Sequence, residues 1–323
     1  MREILARKAS REHGLPLPID ASCMVMSAGA AGGLNAVFKA ICDPGDEIVV
    51  SRPYFPEYRP YASNHGAKLV EVDSLPSFDL DVGAILAALS PRTAAVLVNS
   101  PNNPTGKIYS ADSLSELAGA MRKHTAKTSR APYLVSDEPY REISYGAKVP
   151  SALAAYEESI AVYSFSKSLS LPGERIGYVA VNPAARDKGE LVNAVSYATR
   201  VLGFVNAPAL MQRAVAELAG EAIDPNAYAS RRAAFMAVLR EAGIECSEPA
   251  GAFYAFCRVP PRKLSRGSPS DDAAFADHLK RHLILGAPGS GFGAPGWMRF
   301  AFCVDEKVIH SAGAAFKKAM ETW

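Results

Sequence analysis

Residues 160–177 read IAVYSFSKSLSLPGERIG. Ile160 to Tyr163 is a short apolar run with the composition of a buried strand, and the chain turns at once into Ser164-Phe165-Ser166-Lys167 and then Gly173-Glu174-Arg175-Ile176-Gly177. A lysine at the end of a buried strand is an uncommon placement. Burial disfavours the ammonium form, which leaves an amine able to attack an aldehyde. The same arrangement recurs upstream. Ala94 to Val98 predicts a strand that runs into Asn99-Ser100-Pro101-Asn102-Asn103-Pro104-Thr105-Gly106, where two prolines fix the chain and side-chain amides can face a ligand. Tyr133 to Val135 predicts another, followed by Ser136-Asp137-Glu138-Pro139-Tyr140.

Helical patterns separate these strands. Leu34, Val37, Phe38 and Ile41 fall at i, i+3, i+4 and i+7, predicting a helix over Gly32 to Cys42 that stops at Asp43-Pro44-Gly45-Asp46; Ile48 to Val50 then reads as a strand. Leu114, Leu117, Ala118 and Met121 predict a second helix, with Ser110 placed to cap it. Strands alternating with helices predict a mainly parallel sheet covered on both faces, the doubly wound α/β arrangement. Ligands in such sheets bind beyond the carboxyl ends of the strands. An acid, a phenol, an amide, hydroxyls, a lysine and an arginine would therefore converge on one crevice. Asp137 is the kind of group that keeps a pyridinium nitrogen protonated. Arg175 and Ser164 suit a phosphate, and Ser27-Ala28-Gly29-Ala30-Ala31 leads into a helix whose free N–H groups form an anion site.

At 323 residues the chain has room for two domains of about 150 residues each. Turn-rich GEAIDPNA at 220–227 suggests a boundary, giving a large domain over 1–224 and a smaller α+β domain over 225–323. The smaller one holds a helix from Arg231 to Ala242 and strands at Gly251 to Val259 and Trp297 to Cys303. A formal charge of +2 gives no field that would favour nucleic acid or anionic lipid. No apolar run approaches the about 18 residues of a membrane span, and MREILARKASREHG at the start is charged where a signal peptide is apolar. Five dispersed cysteines, Cys23, Cys42, Cys246, Cys257 and Cys303, argue against a disulfide framework or a zinc cluster and fit buried thiols in a reducing cytoplasm. His278 and His282 stand four apart without the intervening glutamate of a zinc-protease helix and read as a surface pair, so no metal site is expected. Gly286, Gly289, Gly291, Gly293 and Gly296 read as a flexible loop bordering the substrate rather than a dinucleotide fingerprint.

Taken together, SFSK…GERIG, NSPNNPTG, SDEPY and RPYFPEY resemble the fold-type-I, pyridoxal-phosphate-dependent aminotransferases of class I and II, the aspartate aminotransferase superfamily, from about Met1 to Phe302. The resemblance implies Lys167 as the Schiff-base lysine and Asp137 as the pyridinium partner. It implies Asn103 and Tyr140 as partners of the ring's phenolic oxygen, Phe55 as the stacking aromatic, and Gly29, Ala30, Ala31, Ser164, Ser166 and Arg175 as phosphate contacts. Arg299 would bind the substrate α-carboxylate by a bidentate fork, beside Asn103. Members of the family extend upstream of the part matching Met1 to Gly14, with an arm that crosses to a partner subunit. The expectation here is a homodimer whose chain lacks that arm.

The function expected is transfer of an amino group between an L-amino acid and a 2-oxo acid. Two alternatives stand beside it: a carbon–sulfur β-lyase using the same cofactor, and a sensing domain that binds pyridoxal phosphate without turnover. A dicarboxylic substrate would want a second cation in the side-chain pocket, and Arg262, Lys263, Arg266 and Arg281 cannot be placed there from sequence. Aromatic, alanine-type and aspartate-type substrates all stay open.

Overall fold

The computed structural model describes residues 1–221, 223–261 and 271–323; Arg262, Lys263 and Arg266 lie outside them. Strand and helix alternate as the apolar runs require. The first part contains strands β1 (Met24–Ser27), β2 (Glu47–Arg52), β3 (Lys68–Asp73), β4 (Thr93–Asn99), β5 (Tyr133–Asp137), β6 (Ser159–Ser164) and β7 (Gly177–Val181). Between and around them lie helices α1 (Arg2–His13), α2 (Gly29–Ile41), α3 (Tyr58–Ser63), α4 (Val82–Ala88), α5 (Ala111–Thr128), α6 (Ala152–Ala155), α7 (Phe165–Ser168), α8 (Lys188–Val201) and α9 (Ala209–Leu218).

The strands form one seven-stranded sheet in the order β1-β7-β6-β5-β4-β2-β3. Neighbours from β3 through β6 run parallel, while β7 is antiparallel to both β6 and β1. Every residue of β4 and of β6 is buried, as a sheet covered on both faces demands. On one face Leu34, Val37 and Phe38 of α2 join Val162 and Val179 of the sheet; on the other, Leu114, Leu117 and Met121 of α5 meet Val96 and Leu134. Leu5, Ala6 and Ala9 of α1 cover Met24, Tyr163 and Tyr178 near the sheet edge.

The expected helices are present with small shifts. Helix α2 begins at Gly29, earlier than its apolar spacing alone marks, and the Ser110 hydroxyl caps α5 by accepting from Ser113 N at 3.0 Å. Strands β1, β3 and β7 are additional to those expected; β3 is mostly half-exposed, so its sequence KLVEVD lacks an uninterrupted apolar run.

The remainder folds as helices α10 (Pro225–Glu241), α11 (Asp272–Lys280) and α12 (Glu306–Thr322) against strands β8 (Cys246–Ser247), β9 (Tyr254–Arg258), β10 (Ala287–Pro288) and β11 (Trp297–Ala301), in antiparallel order β10-β11-β9-β8. Phe235 and Leu239 of α10, Phe316 of α12 and Phe300 of β11 share its core. The glycine-rich segment expected as a flexible loop is instead β10 followed by a 3-10 turn over Gly289–Phe292, held where Ser290 N donates to the Asp272 carboxylate at 2.5 Å. The two sheets meet at Gly106, whose carbonyl accepts from Ala250 N at 3.0 Å and Gly251 N at 2.9 Å. With φ +70° and a hypothetical Cβ only 2.3 Å from Pro249 Cβ, that position admits glycine alone without a shift.

Candidate active site

The carboxyl ends of β4, β5 and β6 open into a cavity of about 310 Å³. Ala30, Ala31, Phe55, Asn103, Asp137, Tyr140, Ser164, Ser166, Lys167, Arg175 and Arg299 all line it, so the strand ends do converge. Gly29 stands just behind, at the start of α2 with φ +70°, where a Cβ would lie 2.6 Å from an Arg175 guanidinium nitrogen. The backbone there is bare so that the arginine can approach it. Arg175 itself has φ +53°, a left-handed conformation that a side chain disfavours and that a tight local structure must impose. Its guanidinium donates to Pro172 O at 2.7 Å and Ala28 O at 3.3 Å.

Asp137 ends β5 and is buried. Burial pushes its carboxyl up to about 7, against a hydrogen bond from the Tyr58 hydroxyl to Oδ2 at 2.5 Å that favours the ionised form. Its other oxygen, Oδ1, is buried with no hydrogen-bond partner. Below it the Asn99 amide donates to Asp137 O at 2.8 Å, and Asn99 Oδ1 accepts from Asn103 N at 2.7 Å, tying the ends of β4 and β5 together.

Lys167 lies in the short helix α7, where the Ser164 hydroxyl accepts from Ser166 N at 3.2 Å. Its Nζ is 5.5 Å from the Phe253 ring centroid and 5.8 Å from that of Tyr140. Burial lowers its pKa from the ordinary lysine value, Cys303 opposes that shift, and the cations Arg299 and Arg175 add to it. Arg299 projects from β11 between the rings of Tyr254 and Phe292, at 4.5 and 4.7 Å, and donates to Asn103 Oδ1 at 2.9 Å. Its Nε has no partner. A planar cation held between two rings, with donors to spare, suits a carboxylate fork.

Sequence reasoning did not find Tyr58, Tyr254, Glu57 or Tyr61. Tyr254 lines the cavity and its hydroxyl lies 2.9 Å from that of Tyr140, while Glu57 and Tyr61 stand at the mouth, hydrogen-bonded to each other. Phe55 lies just before α3, and its ring meets that of Tyr58 edge-on at 5.6 Å between centroids. Nothing in the sequence pairs residue 58 with residue 137. His278 and His282 lie 5.0 Å apart between ring centroids, with His278 Nε2 at 2.8 Å from Ala319 O, and no metal-binding cluster occurs among the described residues.

A sequence model of the family described as Aminotransferase class I and II matches residues 1–316. The chain belongs to that family. Among its curated relatives, a probable aspartate/prephenate aminotransferase of Thermus aquaticus is 33% identical over 328 residues, covering 99% of this chain and 81% of the relative. An aminotransferase structure from Eubacterium rectale superposes with a TM-score of 0.92 at 38% identity, over 100% of this chain and 79% of that one. Thermus thermophilus aspartate aminotransferase with maleate gives a TM-score of 0.83 at 30% identity, over 98% and 81%. These are pyridoxal-5′-phosphate-dependent transferases, and this aminotransferase uses that cofactor. The cavity fits it: a buried carboxylate oxygen without a partner awaits a ring N–H, and the bare Gly29 backbone beside Arg175 leaves donors for a phosphate. No helix among the described residues is long and apolar enough to cross a membrane.

Proposed function

We propose that this aminotransferase moves an amino group between an L-amino acid and a 2-oxo acid through covalent attachment of the cofactor to Lys167. The observation that carries the proposal is the one cavity lined by Lys167, by Asp137 with its unpartnered Oδ1, and by Arg299. When bound, pyridoxal phosphate supplies an aldehyde that condenses with amines and a ring that accepts electrons from the substrate's α-carbon.

The protein's residues divide the remaining work. Asp137 Oδ1 accepts the ring N–H and holds that nitrogen charged; Asn103 and Tyr140 serve the phenolic oxygen, with Asn103 also next to the substrate, and Phe55 stacks on the ring. The backbone of Gly29, Ala30 and Ala31, the hydroxyls of Ser164 and Ser166, and Arg175 hold the phosphate. Arg299 docks the substrate carboxylate, which orients the α-hydrogen. As a free amine, Lys167 Nζ, with its burial-lowered pKa, would be suited to take that proton and return it. Substrate trials begin with L-aspartate and 2-oxoglutarate, because relatives carry aspartate in their names. Lys167→Ala is expected to abolish turnover with an unchanged far-ultraviolet circular dichroism spectrum. Ordinary transamination by that variant would refute the assignment.

We further propose a division at 224/225, supported by the separate sheets, and a cytoplasmic homodimer. The dimer reading draws support from the exposed apolar side chains Tyr197, Val201, Phe204, Val205 and Leu210 on α8, α9 and the turn between them.

A further inference from the structure

The five cysteines are free thiols, yet two of them are not dispersed in space. In the antiparallel pair β8–β9, Cys246 stands directly opposite Cys257. The adjoining pair is joined by a hydrogen bond from Arg258 N to Glu245 O at 2.9 Å. Hydrogen-bonded and non-hydrogen-bonded pairs alternate along an antiparallel ladder, so Cys246 and Cys257 occupy a non-hydrogen-bonded pair, the kind with Cα atoms about 4.5 Å apart and side chains on the same face. A disulfide requires Cα atoms about 4.4–6.8 Å apart and Cβ atoms about 3.5–4.5 Å apart, and directly opposed residues meet the first and come within about 1 Å of the second. The two thiols already interact, and burial pushes that of Cys257 up. Cys257 is 1% exposed, whereas Cys246 is only half-buried.

We propose that Cys246 and Cys257 form an oxidisable dithiol, a modification site that low-molecular-weight disulfides convert to a cross-strand disulfide. The sulfur of Cys246, the less buried of the two, as thiolate attacks one sulfur of the small disulfide and expels one small thiol, leaving a mixed disulfide on Cys246. The Cys257 sulfur then loses its proton, attacks Cys246 Sγ and expels the second small thiol. Two protein S–H bonds are lost and one S–S bond forms; two electrons and both hydrogens leave on the two small thiols. The division of labour follows from burial, because Cys246 is the less buried of the pair and Cys257 stands directly opposite to resolve it.

The ring so closed would enclose the turn between β8 and β9. That turn carries Pro249 and Gly251 against the Gly106 loop and ends at Tyr254, beside Tyr140. Oxidation therefore fastens one wall of the active cavity without consuming any residue inside it.

Both cysteines fall in one tryptic peptide, residues 241–258. The folded holoenzyme is equilibrated with oxidised glutathione, the remaining thiols are alkylated, and the peptide is weighed. In the wild type the peptide should lose two hydrogens and take up no alkyl group. Cys257→Ser should trap glutathione on Cys246, and Cys246→Ser should leave Cys257 fully alkylatable. Far-ultraviolet circular dichroism first establishes that each variant is folded. Two alkylatable thiols in the oxidised wild type, glutathione persisting on its Cys246, or closure only in denaturant would each overturn the proposal.

Discussion

Tyr58→Phe removes one oxygen atom from the protein and leaves the ring, with its contacts to Tyr54 and Phe55, in place. What is lost is the hydrogen bond of 2.5 Å to Asp137 Oδ2, the only described hydrogen bond to the carboxylate of a group whose other oxygen has no partner. Hydrogen bonds to charged groups contribute about 1.5–3 kcal/mol, more than neutral ones, and this one is buried. One pKa unit corresponds to about 1.4 kcal/mol, so Asp137, already pushed up to about 7, should rise by a further one to two units. A carboxyl that prefers its proton to that extent is a weaker partner for a cationic ring nitrogen. The same free energy, expressed as a barrier, slows the amino-acid half-reaction by about 10- to 100-fold. Rapid-mixing absorbance under single-turnover conditions, repeated from pH 5.5 to 9, reads both consequences: the lower plateau and an acidic limb displaced upward by about one to two units. A purely structural role for Tyr58 would change stability and leave the limb where it was. Rates within threefold of the wild type, with an unmoved pH profile, would sink the reasoning.

Arg299→Lys keeps a positive charge but loses the fork, and the Michaelis constant for the amino acid should rise by about 10- to 100-fold with the cofactor's absorption spectrum unchanged; a constant within twofold of wild type would remove Arg299 from the substrate's carboxylate. Gly106→Ala combines an unfavourable left-handed conformation with a Cβ driven into Pro249, and should cost about 3 kcal/mol in urea denaturation; a loss under 1 kcal/mol would show that the junction between the sheets yields easily. His13 is buried between Glu138 and Ser151, and burial pushes its pKa down from 6.5 to about 4. Between those values the unfolded chain binds the extra proton, so stability is complete above pH 6.5 and falls as the pH drops towards 4, by about 3 kcal/mol in all and about 2 kcal/mol by pH 5. Urea denaturation of His13→Gln and wild type at pH 7.5 and 5 should show the variant lacking that loss; parallel losses would place the acid sensitivity elsewhere.

The strands that carry the site were legible because each is an unbroken apolar run ending in polar residues of distinctive type, as in Val135 to Tyr140 or Tyr163 to Lys167. β1 and β3 were less so. One is a four-residue edge strand, and the other is a half-exposed edge strand in which Lys68, Glu71 and Asp73 interrupt the apolar residues. Residues recognisable by local spacing, such as Arg175 within Gly-x-Arg-x-Gly, are found along the cavity wall. Tyr58 and Tyr254 were missed because their significance lies in contacts 79 and 114 residues away along the chain. The opposed cysteines escaped notice for the same reason, since an eleven-position separation says nothing about register until the turn between the strands is known. Conversely, the glycines between 286 and 296 read as a loop, whereas Ala287–Pro288 pairs as β10 and Gly289–Phe292 forms a 3-10 turn with Ser290 N on the Asp272 carboxylate.

The bond between Arg299 and Asn103 spans 196 residues, which has a bearing on how the protein is made. At ribosomal speeds of about 5–20 residues per second, that interval takes about 10–40 s to synthesise. From the moment Lys167 is made until β11 follows, the emerging polypeptide carries the lysine and the aspartate but not the strand that closes over them. Vitamin captured by such an intermediate would sit in a half-built cleft, open to water and to any passing amine. A nascent chain released before β11 would keep a reactive nucleophile and lack the guanidinium that chooses what it reacts with.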